Sequence, residues 1–265
     1  MQATQRSSGC PGSSPGGNGN QEIRTPGPSD RDVHDRVISY LSDANLRAGS
    51  TEFLNETEVK RAERFSRFLA RRYYRDRLRR SFRFSASLVS QSHAASRLPD
   101  HPDFDEFLDH VVLGSLAAAR EVGQLAVERL TPLRSEAWWP ELLEYEFAFF
   151  LQLATSEPTP PSEGVQVCIS AVLRSFTFRI PEMLECLRSM KPPELQGNTT
   201  LLFSRTPHGR IYVVELDPIT EALFIEISRG EDPRKRLSGD ELTLQELRHT
   251  ISTLKEIGAF SLGES

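Results

Sequence analysis

Four groups of residues bring side chains that could do chemistry. His101, Asp103, Asp105 and His110 lie close together and offer the imidazole and carboxylate donors that a metal ion takes. Their spacing fits no specific metal motif, because HExxH is absent and no two histidines stand at i, i+4. Asp103 and Asp105 are expected instead in the first turn of a helix, where carboxylates complement its unpaired N–H groups. Glu144 and Glu146 could form an acid–base pair, but two residues apart they cannot share one helix face. A buried glutamate paired with an arginine from the 71–80 run is the expectation there. Cys10, Cys168 and Cys186 are odd in number and widely spaced. They read as two buried or half-buried thiols and one incidental thiol, which suits a reducing cytoplasm.

The fourth group is the densest charge feature, Arg71, Arg72, Tyr73, Tyr74, Arg75, Asp76, Arg77, Leu78, Arg79 and Arg80. Arginine with interleaved tyrosine could grip phosphate, dock a protein partner, or simply form a solvated helix face. The chain as a whole carries a net charge of −5 and a pI of about 5.8, and no aromatic RNA-binding motif accompanies the run. Nucleic acid is therefore not an expected partner. A solvated face whose arginines pair with acidic residues elsewhere is the first expectation; if the run docks a protein partner, Arg71, Arg72, Arg75 and Arg79 are the residues expected to do so.

Elements must hold these side chains in place. Hydrophobic residues make up 38% of the 265 and charged residues 26%, the balance of a soluble globular protein. No apolar run approaches the roughly 20 residues of a membrane span, and the first residues do not read as a secretory signal. Residues 1–28, rich in Gly, Ser, Pro, Gln and Asn, bury too little to order and are expected to be a disordered tail.

A helical domain is expected over 29–155. A first helix starts at Ser29 and Asp30, and a longer one carries Val59, Phe65, Phe68 and Leu69 about one face. Phe104, Phe107, Leu108, Val111, Val112 and Leu116 recur at helical spacing. A central helix follows Trp138, Trp139 and Pro140. Residues 156–164 read as a linker.

Beyond it, Val165, Val167 and Ile169 alternate, as do Phe176, Phe178 and Ile180, which predicts strands before a short helix at Pro181. A hairpin follows, Leu201 to Ser204 and Ile211 to Leu216 about a turn at Thr206–Gly209. Asp217-Pro218 starts a helix that Gly230 ends. Thr243 and Glu246 form a capping-box signature for a last helix, with Leu247, Ile251 and Leu254 inward and Gly258 as its stop. Phe260 to Leu262 could return as a short strand. The fold class is α+β: an N-terminal helical bundle, then a small winged-helix-like α+β domain over 165–262.

The stretch RIYVVELDPITEALFIEISRGED followed by LTLQELRHTISTLKEIGAF resembles the winged-helix modules called RiPP recognition elements, which hold ribosomally made precursor peptides. Taken with FSRFLARRYYRDRLRR, WWPELLEYEFAFFLQLA, VQVCISAVLRSFTFRIPEMLECL and LLFSRTPHGRIYVVEL, about residues 57–262 resemble the partner proteins of multinuclear non-haem iron oxidative enzymes. These act in methanobactin and thiaglutamate-type peptide biosynthesis and are related to a helical family described as a DNA-binding domain.

The resemblance implies an accessory protein without catalytic residues, metal or cofactor of its own. It would hold a ribosomal precursor peptide and dock onto a multinuclear iron-dependent oxidase, with the iron in that partner. Together with the thiols and the missing apolar span, this gives the expectation of a cytoplasmic protein that does not engage the membrane. The peptide would add a strand beside Arg210, Ile211, Tyr212, Val213, Val214 and Glu215, against a helix bearing Leu247, Ile251 and Leu254. Two rival readings are a winged-helix regulator reading DNA through Thr243 to Ile257, and a stand-alone enzyme. The mixed charges Arg248, His249, Lys255, Glu246 and Glu256 suit a phosphate-rich groove poorly. The chain also lacks a nucleophile, phosphate or metal signature.

Overall fold

A computed structural model describes residues 39–40, 43, 56–108, 111–156, 165–191, 193, 196–231 and 243–262. The tail expected at 1–28, with Cys10, lies outside the described residues, as do His110, most of the helix expected from Ser29 and all but the first residue of the expected linker. The protein is α+β, helices first and small antiparallel sheets after. No helix among the described residues is long and apolar enough to cross a membrane.

Helix α1 (Glu56–Ser81) buries a stripe of every fourth residue, Ser66, Ala70, Tyr74 and Leu78. This corrects the inward face expected of Phe65 and Phe68, whose side chains are 51% and 56% exposed. Tyr74 supplies the reason: its ring is fully buried, edge-on to Tyr73, Phe104 and Phe107, and it turns the helix about itself. Helix α2 (Arg83–Leu88) follows almost at once.

The run from Phe104 to Leu116 is not one helix. Helix α3 (Asp103–Leu108) stops, Gly114 takes a left-handed φ of 82°, and α4 (Leu116–Leu130) starts afresh. Ser115 explains the restart, since its hydroxyl accepts from the Ala118 N–H at 3.2 Å. Helix α5 (Trp139–Ala154) begins as expected with Pro140 in its first turn, and the buried Trp139 indole donates to the Leu130 carbonyl at 3.1 Å.

Strands β2 (Val172–Phe178), β3 (Gln196–Arg205) and β4 (Ile211–Glu215) form a sheet in the order β2–β3–β4. Helix α6 (Ile180–Arg188) lies between β2 and β3 in the chain, and it takes in Ile180, which sequence periodicity assigns to a strand. Pro181 in its first turn accounts for that change, having no N–H to give a ladder and a φ suited to a helix start. Strands β1 (Val165–Val167) and β5 (Phe260–Leu262) pair separately, so the last strand returns to 165–167 rather than to the hairpin. Helices α7 (Pro218–Ser228) and α8 (Leu244–Glu256) start at the expected caps, Asp217 and the Thr243–Glu246 box.

Buried side chains form two clusters. The larger joins Tyr74, Leu78, Phe82, Trp139 and Phe150 of the helices to Phe176, Phe178, Leu201 and Phe203 of the sheet. The smaller lies on the sheet's other face, where Leu202 meets Leu223, Phe224, Leu247, Leu254 and Phe260. The period-2 alternation of β3 thus feeds both, Leu201 and Phe203 one way and Leu202 the other.

Candidate functional site

The two outer edges of the β2–β3–β4 sheet differ. Thr206 N–H donates to Arg210 O at 2.9 Å and Leu216 N–H to Thr200 O at 3.0 Å. With Leu202 opposite Val214 and Ser204 opposite Tyr212, that parity directs the backbone groups of Tyr212 and Val214 into β3. The N–H and C=O groups of Ile211, Val213 and Glu215 therefore point away from the sheet. Among the described residues β4 pairs with β3 alone.

On the β2 side, Glu141 in the first turn of α5 caps the end of the strand. Its carboxylate accepts from the backbone N–H groups of Thr177, at 2.9 and 3.0 Å, and Phe178, at 2.9 Å, where the ladder is irregular. An open sheet edge is a template for another strand, and β4 carries no side-chain cap of this kind among the described residues.

The expected peptide-binding side chains divide between the faces. Val213 packs against the larger cluster and Val214 against the smaller. Glu215 lies 3.9 Å from Arg179, and the Arg210 guanidinium sits 5.0 Å from the centroid of the Tyr212 ring. Ile211 and Tyr212 are half-buried and Arg210 is exposed. On α8, Leu247 and Leu254 are core at 3% and 2% exposure, and Ile251 is partly buried against the same cluster. They support the sheet from beneath.

The arginine run divides too. Arg71 turns away to Asp105, whose carboxylate thereby belongs to an ion pair. Arg72, Arg75 and Arg79 instead line an open cleft of about 510 Å³ together with Arg97, which the sequence run does not contain. Arg75 and Arg97 share Asp100, Arg79 pairs with Asp76 at 3.2 Å, and Arg72 has no partner among the described residues. Exposed ion pairs of this kind contribute little to stability, so the guanidiniums remain available for exchange. Phe65 and Phe68 continue the same stripe of α1 towards its start, at the a/d-like spacing 65, 68, 72, 75, 79.

The carboxylates resolve as structural. Glu144 pairs with Arg174 rather than with its neighbour. Glu146 is fully buried, and its partners correct the expected arginine of the 71–80 run: the carboxylate accepts from Phe84 N–H at 2.6 Å and Ser85 N–H at 3.2 Å. Burial pushes its pKa up to about 8, against the opposing pull of Ser85, Phe84 and the Arg83 charge. Cys168 and Cys186 are free and half-buried, as expected. Glu141 and Arg97 were missed by sequence reasoning, since a first-turn glutamate and a lone arginine in a short 3-10 helix (Ala95–Asp100) carry no pattern.

No family model matches the chain, and no curated protein matches its sequence.

Proposed function

We propose that the chain is a non-catalytic partner protein that binds a ribosomal precursor peptide along β4 and presents it to a multinuclear iron-dependent oxidase. The observation that carries this reading is the open edge of β4, where Ile211, Val213 and Glu215 hold their backbone groups outward, while Glu141 caps the end of β2. An extended peptide paired there gains main-chain hydrogen bonds without disturbing the fold. In this reading residues 165–262 act as a winged-helix-like peptide-binding module and the helical part as the docking body. Arg72, Arg75 and Arg79, with Phe65 and Phe68, offer the partner a basic and aromatic stripe. The metal and the oxidation belong to the partner, and the complex works in the cytoplasm.

Co-expression with the products of neighbouring genes tests it. The expected result is co-purification of an iron-containing oxidase and a short precursor, with the precursor lost on Val213→Pro. Tight, salt-sensitive binding to duplex DNA with no peptide bound would overturn it in favour of a regulator.

A further inference from the structure

A second cleft, of about 790 Å³, opens where the end of α6 meets α2 and the loop before α5. That size falls within the roughly 300–1,000 Å³ of ligand-binding clefts. Arg83 and Arg188 both lie over the Phe84 ring, at 4.8 and 5.5 Å from its centroid, and Lys191 stands at the same rim. Among the described residues no carboxylate pairs with any of the three. Glu146 senses Arg83 but is buried and holds its proton up to about pH 8, so it compensates little. Arg134 is occupied separately, by Glu136 and the Leu88 carbonyl.

Two guanidiniums gathered over one ring repel each other, and an anion held between them relieves that repulsion. Glu136 is the one carboxylate of the lining, paired with Arg134; beyond these and Ser87 the wall is apolar, formed by Trp138, Leu88 and Leu187, and Met190 stands 95% exposed at the mouth. Met190 also occupies a left-handed position, φ 53°, in the turn that closes α6, where Lys191 N–H reaches Cys186 O at 2.9 Å. Glycine is the usual residue at such a position. A large apolar side chain held there, in solvent, beside a cationic cleft, fits a contact surface better than a helix stop.

We propose that this cleft binds an acidic peptide segment, its carboxylates held by Arg83, Arg188 and Lys191 and a neighbouring apolar side chain lodged against Trp138 and Met190. Guanidinium forks match carboxylates, and an open trough suits a chain that enters and leaves. The chain's net charge of −5 disfavours an extended polyanion such as nucleic acid, leaving the local cluster to select a short acidic ligand. The site stands apart from strand addition at β4 and does not depend on it.

The test uses a fluorescein-labelled peptide of glutamates with one central phenylalanine, read by anisotropy against the full chain. Two controls replace the glutamates by glutamine or the phenylalanine by glycine. Each control is expected to bind at least about tenfold more weakly, and so is the parent peptide to the Arg83→Gln, Arg188→Gln double variant. Arg120→Gln with Arg229→Gln, the same charge change at exposed sites elsewhere, leaves the parent affinity unchanged. If the first double variant fails to fold, Lys191→Gln in the exposed turn gives a smaller loss in the same direction. Equal binding of the glutamine peptide, equal loss in both double variants, or no loss at Arg83 and Arg188 would each overturn the proposal.

Discussion

Proline scanning of β4 distinguishes an open edge from a covered one. At Val214 the N–H points into β3, opposite Leu202. Proline there removes that bond and leaves a carbonyl of a fully buried residue unpaired, costing about 1–3 kcal/mol for the orphaned group. The lost packing of Val214 in the smaller cluster and the ring's clash with the ladder bring the total to about 3 kcal/mol or more. At Val213 the N–H points outward, so no ladder bond is lost. What goes is part of a half-buried valine's contact with the larger cluster, about 1 kcal/mol.

Chemical denaturation of the two variants reads this difference directly, and amide hydrogen exchange of the unmodified chain checks its cause. Ile211, Val213 and Glu215 should exchange quickly, while Tyr212, Val214 and Leu216 are protected. A Val213→Pro cost as large as that of Val214→Pro, or slow exchange at the outward positions, would mean the edge is already paired. The strand-addition reading would then fail, whatever the chain binds.

Three further outcomes follow from side chains already described. The Glu146 pKa is raised from 4.5 to about 8 in the folded chain, so folding takes up a proton between those values. Its contribution is fully present below about pH 4.5 and is lost as pH rises through about 8, by as much as about 5 kcal/mol. Glu146→Gln should flatten the fall in stability over that window, and an unchanged slope would rule the assignment out. Tyr74 holds a buried hydroxyl with no hydrogen-bond partner among the described residues, so Tyr74→Phe should raise the denaturation midpoint by about 1 kcal/mol equivalent. Two helix-stop positions should respond oppositely in thermal melts. Met190→Gly relieves a left-handed methionine and stabilises by about 1 kcal/mol. Gly258→Ala, at φ 78° and with its Cβ driven into the Arg205 carbonyl, destabilises by about 2 kcal/mol or more.

Local signals were legible in the sequence and spatial ones were not. The capping box at Thr243, the Asp217 start and the Gly230 and Gly258 stops each rest on chemistry within a few residues. The hairpin about Gly209 is of the same kind. Helix α1 misled because Phe65 and Phe68 outweigh Ser66 and Ala70 in hydrophobicity, while burial followed the ring of Tyr74. The break at Gly114 was hidden by apolar residues that keep helical spacing on both sides of it. The capping of Thr177 by Glu141 and the pairing of Glu146 with Phe84 and Ser85 join residues far apart in the chain, where no spacing rule reaches. The open edge of β4 could be suggested from the hairpin, but its contrast with β2 needed the helix beside it.

Strand β3 carries one more consequence through two adjacent residues. Arg205 donates to the Gln152 and Thr155 carbonyls at the end of α5, and the Ser204 hydroxyl donates to the Ile257 carbonyl at the end of α8. The same strand sends Leu201 and Phe203 into the helical cluster. A protease that cut between 156 and 165 would sever the chain without freeing either half. The fragments should stay together through a gel-filtration column, melt in one transition, and reassemble on mixing.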